Sequence, residues 1–244
     1  MRQLLHIFGP FSIHSFGLFI AAGIMVFSVL FLRDPRRKKI ISNEQFFSLL
    51  SACILLGFAG GRLLYVFSNW HQLPSFWHLF AVWEGGFSLL GGIMALLVAL
   101  PFLLKKERLA PFPLLDIVST YAPLLQSISR IGCFFAGCCY GIARSCVLPE
   151  ALHPTQLYSA AALFGIFLFL FFWAQTHLKK WGQTTALYLF LMALERFMVD
   201  FWRADREFGP LFDAFSIAQI IALIIMIGSS ISLIFICTRT REMP

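Results

Sequence analysis

Three arginines stand inside stretches of this 244-residue chain that are otherwise apolar. Arg62 lies in Gly60-Gly61-Arg62-Leu63-Leu64-Tyr65, Arg130 in Ser127-Ile128-Ser129-Arg130-Ile131-Gly132-Cys133, and Arg196 in Leu194-Glu195-Arg196-Phe197-Met198-Val199-Asp200. A guanidinium keeps its charge in any protein environment. Within a membrane helix that charge costs about 2.5–3.5 kcal/mol on insertion scales, and residues kept at such depth line cavities and mark sites. Three of them point to an anionic ligand held between helices, with a phospholipid headgroup as the first candidate.

Other groups with chemistry cluster around these positions. Arg196, Asp200 and Arg203 share one face at helical spacing (i, i+4, i+7). They make either a self-contained Arg–Asp pair that offsets its own desolvation or an Asp200 that orients two arginines towards an anion. Arg130, in another helix at the same predicted depth, favours the second arrangement. Four of the six cysteines, Cys133, Cys138, Cys139 and Cys146, follow Arg130 closely. Their spacing fits no standard zinc pattern and no paired histidine follows, so no metal is expected. They are packed thiols, a disulfide involving Cys146, or a nucleophilic thiol whose pKa Arg130 would lower. The segment Trp83-Glu84-Gly85-Gly86-Phe87-Ser88-Leu89-Leu90-Gly91-Gly92 offers two glycine pairs, for tight helix packing or for close approach of a ligand. Glu84 is a possible partner of an arginine. In His153-Pro154-Thr155-Gln156-Leu157-Tyr158 the proline suits a first helical turn, and Gln156 and Tyr158 lie where polar tips meet a headgroup.

The elements that must position these residues are membrane helices. Hydrophobic residues make up 59% of the chain and charged residues 13%, and mean hydropathy is +0.80, against about 25% charged residues in soluble domains. Apolar spans are expected near 11–33, 45–68, 86–104, 113–137, 154–175, 182–203 and 211–237. The fold class is therefore an all-α integral membrane protein, a seven-transmembrane helical bundle forming a single domain over 1–244. A shorter apolar piece, Phe76 to Trp83, lies at the interface with Trp70, Trp77 and Trp83. The first span is too long for the apolar core of a signal peptide and no small-residue cleavage site follows, so it is expected to be retained.

Charge sets the orientation. Arg33, Arg36, Arg37, Lys38, Lys39, Lys105, Lys106, Arg108, Lys179, Lys180, Arg239 and Arg241 all follow odd-numbered spans. By the positive-inside rule those ends are cytoplasmic, with the N-terminus outside and the C-terminus in the cytoplasm. The remaining basic residues, Arg2, Arg62, Arg130, Arg144, Arg196, Arg203 and Arg206, fall on the outer side and include no lysine. A planar fork that grips phosphate or carboxylate through two bonds explains that choice. The net charge of +7 is thus topology anchors plus an outward arginine group, and nucleic acid is excluded as a partner.

Taken together, these segments resemble the prolipoprotein diacylglyceryl transferase family over nearly the whole chain. The resemblance rests on Phe16-Gly17-Leu18, Gly61-Arg62 with Tyr65, Trp83-Glu84-Gly85-Gly86 with Ser88 and Gly91-Gly92, Arg130-Ile131-Gly132, His153 to Tyr158, and Arg196-Phe197 with Asp200 and Arg203. It implies a multi-pass enzyme of the bacterial inner membrane, without cofactor. Its reaction would move the diacylglyceryl group of phosphatidylglycerol to the lipobox cysteine thiol of a preprolipoprotein signal peptide. Arg130 would bind the lipid phosphate and Arg196 would be needed for activity, the two forming the catalytic pair. Arg62, Arg203 and Glu84 would support them, Gln156 and Tyr158 would shape the outer end, and Tyr65, Ser88, Gly91, Gly92 and Asp200 would complete the substrate site. Cys133, Cys138 and Cys139 are left with a thiol role.

The chain departs from the family pattern at several positions. Leu90 stands where a histidine is usual, Cys133 where an asparagine is, and Cys138 where a glutamate is; Phe16 and Met192 replace tyrosines. These changes leave the phosphate grip and alter the groups that could handle a proton. The alternative reading is a non-catalytic or altered-specificity relative that binds anionic lipid or lipopeptide. A transporter lacks the inverted repeat of broken helices expected of one.

Overall fold

The computed structural model describes residues 4–8, 11–70, 86–142, 152–204, 206, 208–209 and 212–238. Strands β1 (Leu4–Phe8) and β2 (Phe11–His14) pair and lead into α1 (Ser15–Arg33). A 3-10 turn over Pro35–Lys39 precedes α2 (Asn43–Ser68). Then come α3 (Leu89–Lys106), α4 (Pro111–Ala136), α5 (Thr155–His177, with a π-helical turn at Leu170–Ala174), α6 (Gln183–Asp200), the strand pair β3 (Phe208–Gly209) and β4 (Phe212–Ser216), and α7 (Ile217–Thr238). Each expected span overlaps one of these helices. The interfacial segment from Phe76 to Trp83, together with Glu84, Arg144, Cys146 and the terminal arginines Arg2, Arg239 and Arg241, lies outside the described residues.

Among the described residues, α1, α2, α3, α5 and α7 are long and apolar enough to cross a membrane by length and composition. The protein is an all-α, multi-pass membrane protein. α4 and α6 fall outside that group of five because they carry the polar load. Asp116, Ser119, Thr120 and Ser127 of α4 and Glu195 and Asp200 of α6 are all buried.

Local signals fix the helix ends. Ser42 and Gln45 form a capping box at the start of α2, the Ser42 hydroxyl accepting from the Gln45 N–H at 3.1 Å and the Gln45 amide oxygen accepting from the Ser42 N–H at 3.1 Å. Ser216 and Gln219 repeat the arrangement at α7, with distances of 3.2 and 3.0 Å. That box starts α7 at Ile217, so residues 212–216 of the expected seventh span are strand, as are 11–14 of the first. α6 begins at Gly182, whose φ of 90° is a left-handed conformation that suits glycine. Its free N–H groups are capped from α4: Asp116 accepts from Gly182 N at 2.6 Å, Thr185 N at 2.8 Å and the Thr185 hydroxyl at 2.6 Å. A second buried carboxylate, Asp34 beyond α1, accepts from the Tyr121 hydroxyl of α4 at 2.9 Å.

The helices group into two compact units. One holds α1, the body of α4 from Leu115, α5, α6 and α7; the other holds the 3-10 turn, α2 and α3. In the first, Gly132 of α4 lies against α1, where a Cβ would come within 2.7 Å of Phe19 Cβ. In the second, α2 and α3 meet through glycines. A Cβ on Gly91 would lie 2.4 Å from the Gly60 carbonyl oxygen, and one on Gly92 3.0 Å from that of Gly57. Close approach of small residues is how helices gain packing energy in lipid, where no hydrophobic difference drives them together. Gly91→Ala should therefore lower the thermal-unfolding midpoint in detergent, whereas Gly165→Ala, with nothing within 4 Å of its added carbon, should leave it unchanged or raised. Equal midpoints for both variants would remove the glycine contact as the basis of α2–α3 packing.

Candidate functional site

Within the first unit, one cleft collects side chains from three helices and two turns. α4 supplies Arg130; the turn after it supplies Cys139; α5 supplies Thr155, Gln156 and Ser159; α6 supplies Glu195, Arg196 and Val199; Arg203 follows α6. Helix contacts set their depth: the Ser127 hydroxyl of α4 donates to the Ala160 carbonyl of α5 at 2.8 Å. The Ser159 hydroxyl donates to Glu195 Oε1, joining α5 and α6.

Asp200 closes the end of α6 and is the charge on which the site turns. Its side chain is 2% exposed and pairs with Arg196 Nη2 at 3.3 Å and with Arg206 Nε at 3.6 Å. The Ser216 hydroxyl of the α7 capping box also donates to it. Arg206 reaches further, donating to Gln219 Oε1 at 2.9 Å. Asp200 thus holds Arg196, whose side chain stays 31% exposed and lines the cleft. Among the described residues Arg130 has no hydrogen bond or ion pair, although its charge acts on Glu195 and Arg196.

Arg203 reaches the cleft by a route other than the expected one. α6 ends at Asp200, and Arg203 lies in an isolated antiparallel bridge with Gly141. It is not on the helical face of Arg196 and Asp200. The reason is a set of backbone bonds that draws the chain out of the helix: Ile142 N to Trp202 O at 3.0 Å and Ala204 N to Tyr140 O at 3.2 Å. Gly141 is required there, since a Cβ would come within 2.4 Å of the Trp202 carbonyl oxygen and 2.7 Å of His153 Cβ.

The turn after α4 is a Schellman end. Gly137, at φ 71°, lets Gly137 N bond Phe134 O and Cys138 N bond Cys133 O, both at 3.2 Å. Cys139 then takes a positive φ of 60°, uncommon for a residue with a side chain. The turn is held from α5: the Thr155 hydroxyl donates to Cys139 O at 2.7 Å and the Gln156 amide to Cys138 O at 2.6 Å. As a result the sulfurs of Cys133, Cys138 and Cys139 all lie within 4.8 Å of one another, and the three cysteines are free. The Cys139 thiol is held down at about 5. The hydrogen bond with Cys133 is the largest cause; burial opposes it, and the charges of Arg203 and Arg130 add to it.

The other expected residues are placed as follows. Tyr158 is 42% exposed, its hydroxyl 3.4 Å from His153 Nδ1. Arg62, in the second unit, donates from Nη1 to Gly86 O at 2.9 Å and stacks over Tyr65 and Phe87. Tyr65 also covers Gly86, whose φ is 79°. Ser88 is the N-cap of α3, accepting from Gly91 N at 3.4 Å. Leu90 is exposed on α3. Sequence reasoning passed over Ser159 as a site residue; its signal is the spacing of Thr155 and Ser159 (i, i+4) beside Gln156. Glu195, read only as a neighbour of Arg196, is a second buried carboxylate of α6 beside Asp200.

A family model described as prolipoprotein diacylglyceryl transferase matches residues 2–235. The chain is 30% identical over 244 residues to the phosphatidylglycerol–prolipoprotein diacylglyceryl transferase 2 of Clostridium perfringens, covering 93% of each chain. It is 32% identical to the corresponding transferase of Clostridium tetani, over 83% of this chain and 85% of that one. Against the transferase of Lactobacillus johnsonii the identity is 27%, over 93% and 87%.

The buried Asp200 pair gives a test independent of activity. Asp200→Ala leaves the donors of Arg196, Arg206 and Ser216 without their acceptor, which should cost about 1–3 kcal/mol of stability. A thermal-unfolding midpoint in detergent equal to that of the wild type would show that this carboxylate does not hold α6 to α7.

Proposed function

The chain belongs to the prolipoprotein diacylglyceryl transferase family, and on that premise we propose that it transfers the diacylglyceryl group of phosphatidylglycerol to the lipobox cysteine thiol of preprolipoproteins. The enzyme is a transferase that forms a thioether and releases glycerol phosphate. The observation that carries this reading is the convergence of Arg130, Arg196 and Arg203 on one cleft, with Asp200 orienting Arg196 from behind. The reaction breaks a carbon–oxygen bond as phosphate leaves, so charge develops on the phosphate oxygens. Guanidiniums converging on that position stabilise the charge more in the transition state than in the bound lipid.

Arg130 and Arg196 are the catalytic pair on the phosphate, with Arg203 beside them. Gln156 is buried, and its Oε1 has no hydrogen-bond donor among the described residues. It is suited to accept from a hydroxyl of the glycerol headgroup. Arg62, Tyr65, Ser88, Gly91, Gly92 and Tyr158 are kept as substrate-side residues of the family pattern, and Glu84 with them. Seven helices then cross the bacterial inner membrane, with the N-terminus outside and the C-terminus in the cytoplasm. α4 and α6 are the two polar spans.

Leu90 favours a second reading, a relative that binds lipid or lipopeptide without transfer, because the usual histidine is missing. One assay separates the two: purified protein with phosphatidylglycerol and a lipobox peptide should give the thioether-linked diacylglyceryl product. No product, where a Clostridium relative works, would leave only the binding reading.

Arg130→Ala and Arg196→Ala should each lower the transfer rate by roughly 10²–10³-fold with membrane insertion intact, the loss typical of one transition-state donor. Wild-type turnover in either variant would remove that arginine from the mechanism. A fluorescent protein fused after Pro244 should fluoresce and a periplasm-dependent phosphatase there should be silent; the reverse result would invert the topology.

A further inference from the structure

The three sulfurs beside the arginine cleft have no part in the phosphate grip, and their arrangement is built rather than incidental. Three backbone devices bring them together. The Schellman end at Gly137 sets Cys138 against Cys133, the left-handed Cys139 folds its own side chain back, and Thr155 and Gln156 of α5 clamp the carbonyls of Cys139 and Cys138. Cys133 is buried, Cys139 half-buried and Cys138 exposed, so the group is reachable through Cys138. We propose that Cys133, Cys138 and Cys139 form a three-sulfur site for a soft divalent metal ion such as zinc, whose fourth position faces the arginine cleft and takes the acceptor thiol.

Geometry and charge both fit. A metal–sulfur bond of about 2.3 Å sets ligand sulfurs roughly 4 Å apart, so sulfurs already within 4.8 Å need only a small contraction. Three thiolates on a divalent ion leave one negative charge. The positive charges of Arg203 and Arg130 already act on Cys139, which also lines the cleft. Sites with three protein ligands keep an open position for substrate, and a thiol bound there gives up its proton.

The inference rests on the transferase reading and supplies its missing step. The acceptor thiol binds the metal and releases its proton to solvent. The bound sulfur attacks the lipid carbon next to the phosphate oxygen; the carbon–sulfur bond forms as the carbon–oxygen bond breaks. The bond electrons leave with the phosphate oxygen of glycerol phosphate, and the thioether, a weak ligand, departs. The site thus stands in for a side-chain base in a chain that has Leu90 where its family has histidine.

The test uses the full-length protein in detergent, stripped with a chelator and reloaded with cobalt(II) as the spectroscopic probe. Wild type should retain one equivalent through gel filtration and show sulfur-to-cobalt charge-transfer absorption. The Cys133→Ser, Cys138→Ser, Cys139→Ser triple variant should lose both. Because that variant could misfold, the exposed Cys138→Ser alone should weaken zinc binding at least roughly tenfold, and zinc should protect the wild-type thiols from maleimide. A lipobox peptide should shift the cobalt d–d bands, and the same peptide with serine for cysteine should not. Absent retention, equal retention by the triple variant, or no peptide shift would overturn the proposal. Full-rate transfer by metal-free protein would overturn it too while leaving the transferase reading intact. Cobalt binding with the peptide shift but no thioether product would do the opposite, keeping the metal site and ending the transferase reading.

Discussion

A buried carboxylate, that of Asp200, organises one end of the first unit. An isolated charge in an apolar interior is costly, so it must be paired and hydrogen-bonded wherever the chain keeps it. Asp200 meets that requirement with Arg196, Arg206 and the Ser216 hydroxyl. Those three partners come from α6 itself, from the segment after it and from the cap of α7. One charge therefore ties the end of α6 to the cap of α7 and sets which way Arg196 points. Arg196 and Arg206 both pair with Asp200, while Arg130 and Arg203 line the same cleft as Glu195.

The same requirement explains why the two polar helices are α4 and α6. Their buried side chains bond one another rather than lipid: Asp116 of α4 caps the first turn of α6, and Ser159 of α5 binds Glu195. The apolar helices carry few such groups, and their packing relies instead on close contacts such as Gly91 against Gly60. Polarity and placement are two sides of one constraint, since backbone and side-chain polar groups within a bilayer must find partners inside the protein.

Much of this was legible in the chain because it depends on short-range chemistry. The apolar runs gave every long helix within a few residues, and the arginines inside them marked the cleft. The ends that sequence reasoning misplaced were legible in principle: Ser216-Ile217-Ala218-Gln219 is a capping-box pattern that starts α7 at Ile217, six residues after the expected start at 211. Gly137 likewise announces a helix end that brings the residue after it back to Cys133. What could not be read is the seam between distant segments. Arg203 looks like the next member of the Arg196–Asp200 face, yet it leaves that face because Gly141, Ile142 and Tyr140, some sixty residues earlier, hydrogen-bond its neighbourhood. No local pattern encodes that pairing. The three cysteines show the same limit: their linear spacing matches no metal motif, while their sulfurs meet in space.

That seam also gives a physical reason for the His153-Pro154-Thr155-Gln156 segment. Read alone, it is an ordinary helix start with proline in the right place. In the fold, Pro154 removes an N–H that would need a partner, and Thr155 and Gln156 spend their side chains on the carbonyls of Cys139 and Cys138 instead of on their own helix. The backbone of His153 meanwhile takes the N–H of Gly141 at 2.9 Å and gives its own to Ile142 at 3.1 Å. An irregular turn next to a bilayer is tolerable only when its polar backbone is bonded in this way. These bonds tie the turn to the first turn of α5. A thiol on such a turn does not have to be recruited by a loop motion; it is held against the arginines before any lipid arrives, so the ordering cost of assembling phosphate grip and sulfur in one cleft is met during folding and not during the reaction.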